Sequence, residues 1–334
     1  MILAALACAS AAGAQASRPT GAAPVARTVA YVSNEGSHDI SVVDVGTARV
    51  VGTIPVAGRP RGIQASPDGR RIYVAVSDDR PNDETSVDGI VVIDAVKQTV
   101  IARLVAGSDP EQFAVSPDGA YLYASNEDAG TASITSVASQ RVLSTLIVGI
   151  EPEGVAASRD GRFVAVTAET SNSVSIIDTR QRAVVANVLV DVRPRGAAFS
   201  PNHTVLYVSA EIGGTLSAID VIAGRVMSTV KLERGAGKPV GVVVSPDGRS
   251  VYVANGSAGT ISVVDSREMR VSRTIAVGRR PWGVALSRDG RSLYVANGLS
   301  DDISIVDTEA GKVIASVKVG RRPWGVAVIE QRPR

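Results

Sequence analysis

The sequence contains very little of the chemistry that catalytic and metal centres usually need. One cysteine, Cys8, and two histidines, His38 and His203, occur among its 334 residues. A single cysteine forms no internal disulfide, cysteine zinc site or dithiol centre. Two histidines in separate loops do not predict a Ser-His-Asp relay or a multi-histidine metal site. Stability is therefore expected to come from packing, and no catalytic residue, metal ligand or bound cofactor is predicted.

A strong charge of either sign is also missing, and aromatic residues are scarce. Lys and Arg total 35 against 33 Asp and Glu, which gives a formal net charge of +2. Nucleic-acid-binding surfaces carry clustered positive charge, and nucleotide sites need a Gly-rich loop that opens a helix. Neither is present, so nucleic acid is not expected as a partner. Aromatic residues make up 4% of the chain, so β-branched side chains must fill the core.

The first sixteen residues, MILAALACASAAGAQA, form a short apolar run of small residues. The run ends in the tripeptide AQA, which fits the cleavage pattern of a secretory signal, and it is too short for a transmembrane helix. We expect residues 1–16 to be a signal peptide cleaved near Ala16, residues 17–26 a short tail, and the mature protein periplasmic or secreted. Lipid attachment at Cys8 is an alternative, but the ALA before it is a poor lipobox, so Cys8 is interpreted as a small apolar signal residue.

What the sequence does contain is a repeat of about 42 residues, the signature of a repeat architecture. Each unit opens on a proline and soon reaches a turn of the type SPDG. The opening prolines are Pro60, Pro110, Pro152, Pro194, Pro239, Pro281 and Pro323. Every unit predicts four short strands, because runs rich in β-branched residues alternate with turn residues. In the unit that opens at Pro281 the expected strands are 283–286, 293–296, 303–307 and 313–319.

Seven four-stranded units predict an all-β fold, a seven-bladed β-propeller, in one domain over residues 27–330. The last opening, at Pro323, supplies only a first strand. The chain begins, from Val29, with a second, a third and a fourth strand. We therefore expect the C-terminal first strand to pair with the N-terminal strands and to close the ring, which leaves no open sheet edge. A monomer is expected.

The residue after each opening proline changes its chemistry from blade to blade, although the residues around it repeat. First strands line the central channel of a propeller, so these residues are expected to ring one mouth of the channel. They are Arg61, Glu111, Glu153, Arg195, Val240, Trp282 and Trp324.

Acidic residues follow the second strands at the same face. Two insertions, DDRPNDETSVDG at 78–89 and the residues before Pro239, are also expected there. Insertions gathered on one face are typical of a binding surface in repeat proteins. The predicted ligand- or partner-binding residues are Arg61, Asp78, Asp79, Glu111, Glu127, Glu153, Glu169, Arg195, Glu211, Trp282 and Trp324.

Two interpretations of this mouth remain open. In the first, its charged residues orient a polar ligand or partner, and Trp282 and Trp324 provide an apolar wall. In the second, the charges are structural ion pairs between blades and the two indole rings cover the end of the channel. The acidic residues also offer oxygen ligands for Ca²⁺, but the sequence does not show that they converge.

The repeat is clearest in the peptide YVAN at 252–255 and 294–297, with its SPDG turns. On these motifs nearly the whole mature chain resembles the YVTN family of β-propeller repeats. Segments that depart from the repeat are similar to the periplasmic propellers called PQQ-dependent catabolism-associated β-propeller proteins. This resemblance implies export and an accessory role in quinoprotein alcohol oxidation, with a quinoprotein dehydrogenase or a cytochrome as partner. The departing segments include DPEQF at 109–113, EPEG at 151–154, EIGGT at 211–215 and RPWG at 322–325.

Three classes of function fit the sequence. A periplasmic binding or accessory propeller is favoured, because no catalytic set is evident. A lactonase-like propeller hydrolase is the alternative, since Glu and Arg at one mouth can perform acid-base chemistry without histidine. An extracellular structural or adhesion module is the third. The fold alone does not decide among them, but a binding protein is expected rather than an enzyme.

Overall fold

A computed structural model describes residues 27–78, 87–232 and 237–331 of the chain. Over these ranges the regular elements are 28 strands, which form seven antiparallel four-stranded sheets. The fold is the seven-bladed β-propeller that the repeat predicts. The described ranges hold no helix that is long and apolar enough to cross a membrane. The predicted signal peptide, 1–16, and tail, 17–26, lie outside the described residues.

Blade 1 combines the first three strands with the last one, and blades 2 to 4 follow in chain order. Blade 1 contains β1 (Arg27–Asn34), β2 (Asp39–Asp44) and β3 (Arg49–Pro55), together with the last strand, β28 (Pro323–Gln331). Blade 2 contains β4 (Arg59–Ala65), β5 (Arg71–Ser77), β6 (Gly89–Asp94) and β7 (Thr99–Leu104). Blade 3 contains β8 (Pro110–Val115), β9 (Tyr121–Asn126), β10 (Thr131–Ser136) and β11 (Arg141–Ile147). Blade 4 contains β12 (Pro152–Ala157), β13 (Phe163–Ala168), β14 (Ser173–Asp178) and β15 (Ala183–Leu189).

The remaining three blades follow the same order. Blade 5 contains β16 (Pro194–Phe199), β17 (Val205–Ala210), β18 (Thr215–Asp220) and β19 (Arg225–Lys231). Blade 6 contains β20 (Pro239–Val244), β21 (Ser250–Asn255), β22 (Thr260–Asp265) and β23 (Arg270–Ala276). Blade 7 contains β24 (Pro281–Leu286), β25 (Ser292–Asn297), β26 (Asp302–Asp307) and β27 (Lys312–Lys318). Its four strands begin one or two residues before the predicted starts, and pairing of the first strand extends to the opening proline.

The core consists of apolar layers between the faces of neighbouring blades. Side chains alternate between the two faces of a strand, so each blade contributes apolar side chains to the layers on both of its sides. Tyr31 packs in the layer shared with blade 2, whereas Val32 packs in the layer shared with blade 7. The Tyr31 hydroxyl donates a hydrogen bond of 2.6 Å to the carbonyl of Ala95 in blade 2. A four-stranded sheet cannot bury its own apolar faces, and packing against the neighbouring blades buries them instead.

Ring closure follows the predicted scheme. β28 pairs antiparallel with β1, with Tyr31 opposite Ala327. Ala327 and Ile329 are buried in the layer between blades 1 and 2, and Val326 in the layer between blades 7 and 1. One strand therefore joins three blades.

The first strands approach one another most closely at the glycine that follows each variable residue. A Cβ atom on Gly154 would lie 1.9 Å from the carbonyl oxygen of Arg195, and one on Gly241 would lie 2.2 Å from that of Trp282. These positions need glycine because the backbone of the next blade occupies the space. Hydroxyls of second strands hold the same row of carbonyls, as in the 2.7 Å bond from Ser125 Oγ to the oxygen of Glu153. Such bonds hold the carbonyls of four variable residues, Arg61, Glu153, Arg195 and Val240.

Deleting residues 321–334 removes β28 and is expected to destabilise the whole ring. Burial of Val326, Ala327 and Ile329 contributes roughly 4 to 6 kcal/mol, a large part of the ~5–15 kcal/mol typical of a folded protein. Thermal melting should show a large decrease in melting temperature or aggregation of the truncated chain. Deleting residues 332–334 alone is the control, because it leaves β28 whole. An unchanged melting temperature for the longer deletion would contradict this closure.

Candidate functional site

A cavity of about 220 Å³ lies at the channel end where first strands begin and second strands finish. We call it the mouth cavity. Six of the predicted site residues line it: Arg61, Glu111, Glu153, Arg195, Trp282 and Trp324. Its other lining residues are Glu35, Arg280, Gly298, Leu299, Arg322 and Pro323.

The remaining predicted residues lie elsewhere. Val240, the seventh variable residue, is buried in the apolar layer between blades 6 and 7. Asp78 follows β5, and its carbonyl accepts a 2.6 Å hydrogen bond from Arg59 Nε. Asp79 lies outside the described residues, as do 80–86 and 233–236 of the two insertions. Glu127, Glu169 and Glu211 follow their second strands as expected, but they lie beside the mouth cavity and not among its lining residues.

Arg195 is the centre of the charged side of the mouth. Its guanidinium contacts the carboxylates of Glu153, Glu169 at 2.5 Å and Glu211 at 2.9 Å. Arg193 reinforces the group, with its Nε 2.6 Å from Glu169 and 3.2 Å from Glu211. The Arg195 side chain is only 15% exposed, and burial lowers the pKa of its guanidinium. Three surrounding carboxylates offset the loss of its solvation, as a buried cation requires.

Arg61 forms a second ion-pair group. It contacts Glu111 of blade 3, and its Nε lies 3.1 Å from Oε1 of Glu35 in blade 1. Arg59, beside it, reaches Glu35 at 3.8 Å and Asp109 at 3.5 Å. These pairs join neighbouring blades, as the structural interpretation of the charges predicts.

Three carboxylates of this side, Asp109, Glu111 and Glu127, place oxygens within 4.8 Å of one another. Burial raises the pKa of Glu127, and the charge of Asp109 raises it further. The carboxylates of Asp109 and Glu111 already pair with Arg59 and Arg61. We therefore interpret the cluster as part of the ion-pair network and not as a metal site.

Glu169 is the most perturbed acid of the mouth. Burial raises the pKa of Glu169 to about 7; the charges of Glu127 and Glu211 act in the same direction, and Arg193 opposes them. Arg193 and Arg195 contact several carboxylates each, so the local charge stays negative when all of them are ionised. Retaining a proton near neutral pH relieves that excess.

A recurring turn sets the position of the charges. In six blades the residue before the opening proline has a positive φ, between 42° and 63°. Its carbonyl accepts the N–H of the residue after the second strand, as in the 2.8 Å bond from Gly298 to Arg280. That residue is Glu35, Glu127, Glu169 or Glu211 in blades 1, 3, 4 and 5, but Gly256 or Gly298 in blades 6 and 7. The residue whose N–H bonds to the carbonyl of Arg280 is therefore a glycine, which offers no carboxylate to that arginine.

The other side of the mouth is apolar and aromatic. The rings of Trp282 and Trp324 lie 6.0 Å apart at 45°. The guanidinium of Arg280 lies 4.8 Å from the Trp282 ring, and that of Arg195 lies 5.3 Å from it. Leu299 is 51% exposed beside them. Arg280, Leu299 and Arg322 were not among the predicted site residues. The sequence does carry one signal for Arg280, because residue 298 is glycine where the corresponding residue of blades 1, 3, 4 and 5 is glutamate.

Nucleophilic chemistry is not assembled at the mouth. His38 lies in the turn after β1, with Nδ1 2.9 Å from the carbonyl of Gly58. His203 lies in the turn after β16, at the opposite end of the blades. The hydroxyls nearest the variable residues, such as Thr167 and Ser209, donate to the carbonyls of Arg195 and Val240. The described part of the mouth thus offers carboxylates, guanidiniums and indoles.

Two family profiles match parts of the chain. The profile described as Lactonase, 7-bladed beta-propeller matches residues 183–326, and that of the Cytochrome D1 heme domain matches residues 86–210. Each covers less than half of the chain. With the fold, they place the chain among the seven-bladed β-propellers. The finer resemblance to PQQ-associated propellers stays a prediction.

Individual relatives agree with this class. An antigen of Leptospira interrogans is 35% identical over 102 residues, or 29% of this chain and 22% of that protein. A seven-bladed β-propeller protein of Mycobacterium tuberculosis is 28% identical over 119 residues, or 35% of this chain and 29% of that protein. The matches thus span less than a third of either relative's length. A solved Bacteroides fragilis structure, provisionally named a 6-phosphogluconolactonase, has a TM-score of 0.74 at 17% identity, over 91% of this chain and 98% of that chain, and shows the fold alone.

Replacing Glu169 with Gln is expected to change how stability depends on pH. The pKa of Glu169 is about 7 in the folded chain and 4.5 without its environment, so the folded state favours the protonated form. The stability contributed by that proton is complete below about pH 4.5 and is lost as the pH rises to about 7, at no more than ~1.4 kcal/mol per pH unit. Chemical denaturation at several pH values should show this decrease in the parent protein and a flatter profile in Glu169→Gln. The exposed Glu309→Gln is the control, and equal slopes for the parent and Glu169→Gln would refute the assignment.

Proposed function

We propose that the protein is an exported binding propeller and that it engages a partner or a small polar ligand at the mouth cavity. One observation carries this proposal. Six of the seven variable residues line a single cavity, whereas the backbone that holds them repeats from blade to blade. A purely structural need acts alike in each blade and calls for similar residues. Four residue types, Arg, Glu, Val and Trp, at one repeated position are typical of recognition.

The charged side and the aromatic side have different parts in this proposal. Arg61 and Arg195 are engaged by carboxylates of their own chain, so the charged side is a rigid, internally neutralised wall. Leu299, Trp282, Arg280 and Arg322 form the side that remains accessible. Both interpretations of the sequence thus apply, each to one half of the mouth, and recognition is assigned to the accessible half.

The proposed setting is the periplasm, with a quinoprotein alcohol dehydrogenase or a cytochrome as partner. The segments that resemble PQQ-associated propellers are 109–113, 126–128, 151–154, 168–170, 211–215 and 322–325. Each begins at or beside the mouth, since these segments contain Glu111, Glu127, Glu153, Glu169, Glu211 and Trp324. The partial match to the Cytochrome D1 heme domain profile adds a likeness to a redox protein family. The resemblance is therefore concentrated where a partner would be recognised.

A lactonase-like hydrolase is the second candidate, supported by the Lactonase profile over 183–326. A carboxylate with a pKa of about 7, such as Glu169, suits proton transfer. Glu169 is 4% exposed, however, and two arginines contact it. The carboxylates that do line the cavity are already paired, Glu35 and Glu111 with Arg61 and Glu153 with Arg195. Binding accounts for the arrangement more directly than hydrolysis.

Leu299→Lys tests recognition at the mouth. The substitution puts a flexible cation where an exposed apolar side chain borders the cavity, and it should weaken partner binding by roughly tenfold or more. Binding of the full chain to a purified quinoprotein alcohol dehydrogenase and to a purified c-type cytochrome can be measured by calorimetry. The matched control is Ile314→Lys, because Ile314 is 56% exposed on β27, at the outer edge of blade 7. Both variants should melt like the parent.

Two results would count against the proposal. The first is partner binding that is unaffected by Leu299→Lys, or that is absent from the parent. The second is steady hydrolysis of a lactone panel that is abolished by Glu153→Gln, which would favour the second candidate.

A further inference from the structure

The cations of the mouth fall into two groups. Arg59, Arg61, Arg193 and Arg195 each lie within 4.0 Å of one or more carboxylates. Arg280 and Arg322 are both exposed and line the mouth cavity, and neither forms an ion pair with a carboxylate of the described ranges. The reason is local for Arg280, whose Cδ lies 4.0 Å from where a Cβ on Gly298 would be. The turn residue matched to Arg322 is Glu35, but its carboxylate pairs with Arg59 and Arg61, and the Arg322 side chain lies against Gly36.

An aromatic surface lies next to these two cations. Trp282 and Trp324 line the same cavity, and Trp324 is almost fully buried while Trp282 stays partly exposed. The guanidiniums of Arg280 and Arg195 already lie over the Trp282 ring. A cationic ligand would therefore be repelled there, and the carboxylates opposite are held by Arg61 and Arg195. An anion with an apolar body meets neither difficulty.

The cavity is small. Its volume of about 220 Å³ corresponds to about seven waters at ~30 Å³ each, less than the ~300–1,000 Å³ of drug-sized pockets. A compact molecule of one ring and one short acidic side chain fits this space. Its acidic group would point away from Glu35, Glu111 and Glu153, which would repel it.

From this geometry we infer that the mouth cavity binds a small organic carboxylate, with its flat apolar body on Trp282 and Trp324 and its carboxylate between Arg280 and Arg322. The inference rests on the proposed function and narrows it to one class of ligand. Arginine suits this task because its planar N–H groups match a carboxylate in pairs. Glu153 and Arg61, on the opposite wall, are positioned to contact polar substituents of the ligand.

The chain carries its own probe for this site, because Trp282 and Trp324 are its only tryptophans. Ligand contact with the rings should therefore change the tryptophan fluorescence of the intact protein. Phenylacetate is a suitable test compound, since it joins one ring to one carboxylate. Phenylacetamide is the matched neutral compound. We expect saturable quenching by phenylacetate, at least tenfold weaker binding of phenylacetamide, and a loss of phenylacetate affinity as salt concentration rises.

Arg280→Gln and Arg322→Gln should each weaken phenylacetate binding by roughly tenfold. Arg321→Gln is the matched control, because Arg321 is also exposed and is adjacent in sequence to Arg322 but does not line the cavity. Circular-dichroism melting verifies that each variant folds. If one arginine variant does not fold, the other variant and the salt dependence still test the inference.

The inference is overturned if phenylacetamide binds as tightly as phenylacetate, if both arginine variants bind like Arg321→Gln, or if phenylacetate shows no saturable effect. Equal binding of the two compounds would remove the anion preference and leave the mouth as a binding site. Loss of partner binding in Leu299→Lys is measured independently, so the two proposals can fail separately.

Discussion

The contact between neighbouring first strands is the constraint on which the rest of the structure depends. The carbonyl of Arg195 lies where a side chain on Gly154 would begin, and the hydroxyl of Thr167 donates to that carbonyl at 3.0 Å. A carbonyl oxygen of the next blade takes the same place at Gly196 and Gly241. Such contacts leave the backbone at the mouth no freedom to adapt. The chemistry of the mouth is therefore set by one side chain per blade, held on a rigid ring.

The ion pairs follow from this rigidity. A guanidinium held in a partly buried ring needs several carboxylates, since one does not replace its lost solvation. Arg195 has three such neighbours, contributed by blades 4 and 5. The same crowding explains why burial and two other carboxylates raise the pKa of Glu169. The ion pairs thus join side chains of blades 1 to 5, and blades 6 and 7 carry glycine where blades 1, 3, 4 and 5 carry the turn glutamate.

The sequence predicts the architecture well, because the proline spacing is regular and the strand pattern repeats. It predicts the closure of the ring by β28, and it identifies the row that begins at Arg61. The opening proline fixes where each variable residue lies on its first strand, so six of these side chains line one cavity as expected. The sequence does not reveal that Glu169 and Glu211 turn towards Arg195 and away from the cavity. That outcome depends on the distance between two blades, which no repeat pattern contains.

The part played by Arg280 and Arg322 also required coordinates. Arg280 has no carboxylate partner because Gly298 occupies the matched turn position, whereas Glu35, matched to Arg322, pairs with Arg59 and Arg61 instead. Trp282 belongs to blade 7 and Trp324 to blade 1, so the aromatic wall spans the seam at which the chain meets its own beginning. A nascent or frayed chain possesses half of that wall. In the proposed binding mode, a ligand that contacts both rings would bind only the closed ring and would therefore raise the free energy needed to open it.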